Sequence, residues 1–237
     1  MVVRHMLVSH LLRPTLVFLL VAIWLEFSGV DLWLGDAIYH WSGDSWRWRD
    51  AWVTATLVHE YGRTLVAGLV LVLLLLILAS WQVAVLSPFR SGLCYVLVSA
   101  LLAGLVVNIG KRLTHVDCPW DLLRYGGTAD YVRNFMSHAD TGGVGGCFPA
   151  GHASAGYGWF GLYYFVRQFW PRWRSAALAG VLLLGLVFGI GQQLRGAHFL
   201  SHDVWTLGIC WLVATTLALV WFRPGKKMAA MSQALAV

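Results

Sequence analysis

Six apolar runs decide what this chain can fold into. They cover Pro14–Phe27, Thr64–Val83, Gly92–Ile109, His152–Phe169, Ser175–Leu194 and Ser201–Phe222. Most approach the roughly 20 residues that carry a helix across a hydrocarbon core. The expected fold is all-α: one membrane domain of six transmembrane helices spanning residues 1–237. Composition agrees with this. Hydrophobic residues make up 59% of the 237 and charged ones 12%, about half the soluble average. A chain this apolar cannot bury its surface in a soluble core.

Two long polar stretches interrupt the runs, at about residues 28–62 and 111–151. The first holds Trp33, Trp41, Trp46, Trp48 and Trp52. Tryptophan at this density beside a span suits an interfacial belt, with a short amphipathic helix lying on the bilayer. An aromatic substrate site is the sharper alternative. The first run follows a short basic leader and carries no small-x-small cleavage motif after it, so it reads as a membrane helix, not a cleaved signal.

The charges orient these segments. Arg4, Arg13, Arg90, Arg167, Arg172, Arg174, Arg223, Lys226 and Lys227 lie in the leader, the two tight turns and the tail, where there is no acid. The remaining basic residues and all 11 acids fall on the other side or at its edge. Lysine and arginine favour the cytoplasmic side. Both termini are therefore expected inside and both long loops outside. Although the net charge is +6, no basic stripe alternates with exposed aromatics, which argues against a nucleic-acid partner.

Ionisable residues cluster at the predicted outer ends of the third to sixth runs. Lys111 and Arg112 follow the third. Cys147-Phe148-Pro149-Ala150-Gly151-His152 opens the fourth. Arg195, His198, His202 and Asp203 join the fifth to the sixth. Such groups at membrane depth are costly and are usually functional. Lysine and arginine suit phosphate oxygens. Free N–H groups at Gly151 and His152 would face an anion. Two histidines can divide nucleophile and acid roles. No carboxylate cluster suits a pair of metals, and a site built on His198, His202 and Asp203 lacks further ligands at the right spacing, so no metal and no cofactor is expected. His115 and His138 read as solvated loop residues, while His59 and Glu60 are too distant in sequence to place.

Lys111, Pro149-Ala150-Gly151-His152 and Gly196-Ala197-His198-Phe199-Leu200-Ser201 together resemble the three-part signature of the type 2 phosphatidic acid phosphatase (PAP2) superfamily. The resemblance covers about residues 92–222, and the six-span layout extends it. It implies a PAP2-like helical bundle with an outward-facing site. It also implies that His198 is a nucleophile forming a phosphohistidine, His152 the acid for the leaving oxygen, and Lys111 and the Gly151 amide phosphate ligands. Four positions depart from the family pattern. Cys118 stands where the first motif has arginine, and Arg112 or Arg124 is a candidate substitute. Ala150 replaces a serine. Gln192 replaces an arginine, with Arg195 one helical turn later. His202 occupies the place of the orienting aspartate, and Asp203 follows it. Helical spacing favours His202 as the partner of His198, whereas a carboxylate would fix the imidazole tautomer more strongly; both stay candidates.

Cys94 and Cys210 fall inside apolar runs and read as packing residues. Cys118 and Cys147 share the second loop. In an oxidising compartment they can bridge, closing a loop worth roughly 3 kcal/mol by chain entropy. The expected function is an integral-membrane lipid phosphatase acting on a phosphate monoester or diphosphate, in a bacterial inner membrane with its site facing the periplasm. Its partners would be the lipid bilayer and a membrane lipid phosphate. The alternatives are a lipid phosphotransferase of the same family and an inactive lipid-binding or transport protein.

Overall fold

The computed structural model describes residues 2–136 and 145–222. His138 and the tail residues Arg223, Lys226 and Lys227 lie outside them. Among the described residues there is no strand, only an isolated bridge between Leu122 and Ala129. The N-terminal part supplies α1 (Arg4–Ser28), α2 (Val30–Trp41) and α3 (Trp52–Ala79). Next come α4 (Arg90–Thr114), α5 (Gly151–Tyr157), α6 (Gly161–Phe169), α7 (Arg174–Leu194) and α8 (Leu200–Trp221). Among the described residues, five helices are long and apolar enough to cross a membrane: α1, α3, the one built on α4, α7 and α8. The remaining apolar run, the fourth, is helical from end to end, but Gly158–Phe160 tightens into a 3-10 turn between α5 and α6.

Glycine explains why that run is both irregular and central. A Cβ at Gly156 would stand 2.5 Å from the backbone of Gly185, and one at Gly161 would stand 3.0 Å from Ser99 Cβ. The missing side chains let α5 meet α7 backbone to backbone and let α6 lie directly on α4. Tyr95, Val107, Tyr157, Phe160 and Cys210 are fully buried around these contacts. Two hydroxyls find partners there: Tyr95 donates to the Ala214 carbonyl at 2.8 Å, and Tyr164 pairs with Thr215 at 2.5 Å. By contrast, α1 and α3 stand at the periphery. Only 6% and 11% of their apolar windows are buried, against 33–39% for the other three spans, so their apolar faces are left for lipid.

The bundle has two unlike ends. At one end the tight turns close. Arg90 donates from Nε to Ser80 Oγ at 3.0 Å and lies 3.9 Å over the Trp81 ring. Phe89 packs against Phe169, and the Trp221 indole donates to the Ser91 carbonyl at 3.0 Å. At the other end α2 and the loops cover the bundle, with Tyr39, Trp46, Tyr125 and Phe199 forming an aromatic cap.

Some boundaries differ from the sequence reading. The second span begins at Trp52, not Thr64, and its first part, Trp52–Tyr61, has wider π-helical winding. Lys111 and Arg112 lie inside the last turn of α4 and do not follow it. Trp46 does not act as a belt residue, because its ring covers Gly196 so closely that a Cβ there would collide with it. Trp33, Trp41 and Trp52 are exposed, as a belt requires.

Overpacking at the α5–α7 contact should cost about 1–3 kcal/mol. Gly156→Leu is expected to lower the thermal midpoint measured in detergent. Gly68→Ala, with nothing within 4 Å of its new Cβ, is expected not to lower it.

Candidate active site

Two chain reversals build the site. After α7 the backbone turns at Gly196, whose φ of 74° is left-handed and suits glycine. The Trp120 N–H donates to the Gly196 carbonyl at 2.9 Å. Phe199 is extended, and α8 begins at Leu200. Its second N–H, that of Ser201, donates to Asp31 Oδ1 at 2.9 Å, so a carboxylate from α2 caps the helix that follows His198. Asn134 then ties Glu26 to the Ser201 hydroxyl at 2.9 and 3.1 Å.

The second reversal delivers His152. The Thr114 hydroxyl at the end of α4 donates to the Phe148 carbonyl at 2.5 Å. A cis Phe148–Pro149 peptide follows. The Ala150 N–H donates to the His202 carbonyl at 3.3 Å, and the Thr206 hydroxyl donates to the Ala150 carbonyl at 3.1 Å. Cys118 and Cys147 are bonded to each other, with their Cα atoms 5.2 Å apart. The end of the long loop is thus sewn to α4 on one side and to α8 on the other.

These reversals bring Lys111, Gly151, His152, His198 and His202 together. Lys111 lies over Gly151: a Cβ there would be 3.3 Å from Nζ. His198 is buried in the loop before α8, and its Nδ1 is 3.5 Å from Nδ1 of His202. Burial holds the His198 imidazole well below its ordinary pKa, and His202 and Lys111 act in the same direction. The ring is therefore neutral, with a lone pair for attack, at neutral pH. His152, half-buried at the start of α5, stacks on His59 from α3 with ring centroids 4.4 Å apart and also touches Phe188. Among the described residues, no group of three or more His, Cys, Asp or Glu side chains is arranged to hold a metal ion.

The other candidates lie elsewhere or have other partners. Asp203 does not turn to His198; its carboxylate accepts a hydrogen bond from Gln193 Nε2 and sits against Gly189 of α7. His202 is the residue beside His198, and its Nε2 is buried without a hydrogen-bond partner among the described residues. Arg124 forms a two-pronged pair with Asp36 of α2, at 2.7 and 2.5 Å. Arg112 is exposed on the last turn of α4. Ala150, where the resemblance would put serine, is fully buried in the apolar core. Sequence reasoning missed His59, which it left in a polar loop. The helical spacing of His59 from the apolar run that follows was the available signal.

Fold and site together define a polytopic helical membrane protein with a lysine and three histidines gathered at one end of its bundle. A family model for the PAP2 superfamily matches residues 92–226, more than half of the chain, and the protein belongs to that superfamily. Membership and the apolar helices support a membrane phosphatase-type function. No curated protein and no solved structure matches the chain significantly.

Two outcomes follow. Alkylation without reductant should find two thiols, Cys94 and Cys210, and four after reduction; four at the outset would contradict the Cys118–Cys147 bond. Burial pushes the Asp31 carboxyl up to about 6 from its ordinary 3.8, against the opposing hydrogen bonds from Ser201. Because the folded value is the higher one, the folded chain holds this proton where the unfolded chain has lost it. That contribution is complete below about pH 4 and is lost as the pH rises through about 6. Asp31→Asn should therefore flatten the pH dependence of the unfolding midpoint between pH 4 and 6.

Proposed function

We propose that the protein is a lipid phosphatase that works through a phosphohistidine. The observation that carries this reading is the neutral, buried His198 imidazole in the neighbourhood of Lys111, with His152 on the facing helix start. A nitrogen of His198 attacks phosphorus as the bond to the leaving oxygen breaks. His152 gives its proton to that oxygen. Water then attacks the phosphohistidine, the P–N bond breaks, and His152 recovers a proton from the water. Phosphoryl transfer asks mainly for positioning and charge stabilisation. Lys111, Arg195 and the Gly151 N–H would supply these at the equatorial oxygens. His202, through its contact with His198, is the better candidate for holding that ring; Asp203 would act on the opposite side, through α7.

The natural substrate is a lipid carrying a phosphate monoester or diphosphate, reached at the rim of the bilayer. The positive-inside distribution of arginine and lysine supports a site on the outer face, which in a bacterial inner membrane is the periplasmic one. Purified protein in detergent with EDTA should release phosphate from at least one of phosphatidic acid, phosphatidylglycerophosphate, a polyprenyl diphosphate and lipid A. His198→Ala should lower that release by at least about a thousandfold. If the phosphoryl group appears on a second lipid instead of water, the protein is a phosphotransferase. If a folded protein gives no reaction with any of the four, the hydrolytic reading fails and lipid binding or transport replaces it.

A further inference from the structure

The part of the chain that precedes the family match brings one histidine into contact with the site. His59 belongs to the π-wound first turns of α3, a geometry frequent at functional sites. Two glycines allow it to come so close. A Cβ at Gly191 of α7 would stand 2.8 Å from Val58, and one at Gly62 would stand 2.7 Å from Phe188. The His59 and His152 rings are 4.4 Å apart and inclined by 28°. The neighbouring Val58 carbonyl lies 3.4 Å from His152 Nε2. One helical turn thus addresses both the face and an edge of the His152 imidazole.

The hydrogen-bond partners fix the state of His59. Gln192 is buried, with its amide Nε2 3.0 Å from His59 Nδ1 and its Oε1 3.3 Å from Arg195 Nη1. A guanidinium only donates, so the Gln192 atom facing it must be the carbonyl oxygen. The amide NH2 then faces His59, and Nδ1 must accept. The ring hydrogen sits on Nε2. An imidazolium would set one N–H against another at Nδ1. Arg195 itself is anchored by donating from Nε to the Arg49 carbonyl at 2.8 Å, so the chain of partners starts from a fixed point.

We propose that His59 is a positioning residue for the phosphatase reaction, held by Arg195 and Gln192 as a neutral Nε2–H ring whose face orients and supports His152 when His152 carries the proton for the leaving oxygen. A neutral aromatic face beneath a cationic ring is favourable, whereas a charged His59 would repel it. Gln192, at the position where the family resemblance implies arginine, here serves the acid and not the phosphate. The inference rests on the reading of His152 as the proton donor.

The test uses the full-length protein in detergent and two kinds of substrate. Phosphatidic acid has an alkoxide leaving group that needs a proton; p-nitrophenyl phosphate has one that does not. His59→Ala should lower kcat on the active lipid substrate by about tenfold to a hundredfold, the lower part of what general acid catalysis supplies, with KM within about twofold. It should leave turnover of the aryl phosphate within about threefold of wild type. His59→Phe, which keeps a neutral ring for stacking, should recover most of the lost kcat. Equal losses on both substrates would show a structural role and overturn the inference while leaving the phosphatase reading intact. Phe and Ala variants equally impaired would also overturn it. Wild-type protein inactive on all four lipid substrates would remove the phosphatase reading, and the inference with it.

Discussion

The contact between Lys111 and Gly151 holds the site together. Gly151 has no side chain, and the Lys111 stem and ammonium occupy the space toward which one would point. That single approach joins the end of α4 to the start of α5. It places a cation beside the first free N–H groups of a helix, where an anion is already favoured. It also accounts for the backbone around it: the Thr114 bond to Phe148 and the Ala150 bonds to α8 keep the α5 start pressed against α4. Any residue with a Cβ at position 151 would have to displace the lysine by a few tenths of an ångström.

The buried ionisable groups around the site are tolerated because they are neutral or hydrogen-bonded. His198 is buried and uncharged, so its burial costs far less than that of an ion. Asp31 is buried but accepts from the α8 backbone. Asp36 and Arg124 neutralise each other at the surface, a pair worth at most about 1 kcal/mol when partly exposed. The aromatic cap of Tyr39, Trp46, Tyr125 and Phe199 closes over the loop that carries His198. These groups are thus held by packing and backbone hydrogen bonds, which are insensitive to salt.

Much of this was legible in the sequence, and the exceptions share a cause. Apolar length identified the spans because hydrocarbon leaves a helix little alternative. The tight turns at Ser87–Arg90 and Trp170–Arg174 were marked by proline and basic residues. The start of α3 was misplaced because hydropathy treats polar residues as solvent-facing. His59 is polar yet faces another polar side chain inside the bundle, and a helix turned toward a polar site resembles a loop by composition. Lys111 was separated from its helix for the same reason. The partner of His198 was undecidable from spacing, since His202 and Asp203 differ by one position and their choice depends on where α8 begins. With the helix starting at Leu200, and Phe199 extended before it, His202 reaches back to His198, and Asp203 rotates toward Gln193.

One departure from the family pattern, Gln192 in place of arginine, forms a coherent change with Arg195. Gln192 cannot carry charge to a phosphate, but it accepts from Arg195 and donates to His59. Arg195 directs its Nε–H to the Arg49 carbonyl and one Nη1–H to Gln192. The positive charge therefore lies at the end of α7, and Gln192 links it to the His59 ring beside His152. Arg49, Val58 and His59 all precede residue 92, where the family match begins. The matched part of the chain supplies His198, His152 and Lys111, but the ring that stacks on His152 and the carbonyl that anchors Arg195 come from α3 and the segment before it. Residues 92–226 alone would keep the signature side chains and lose the contacts that set their geometry.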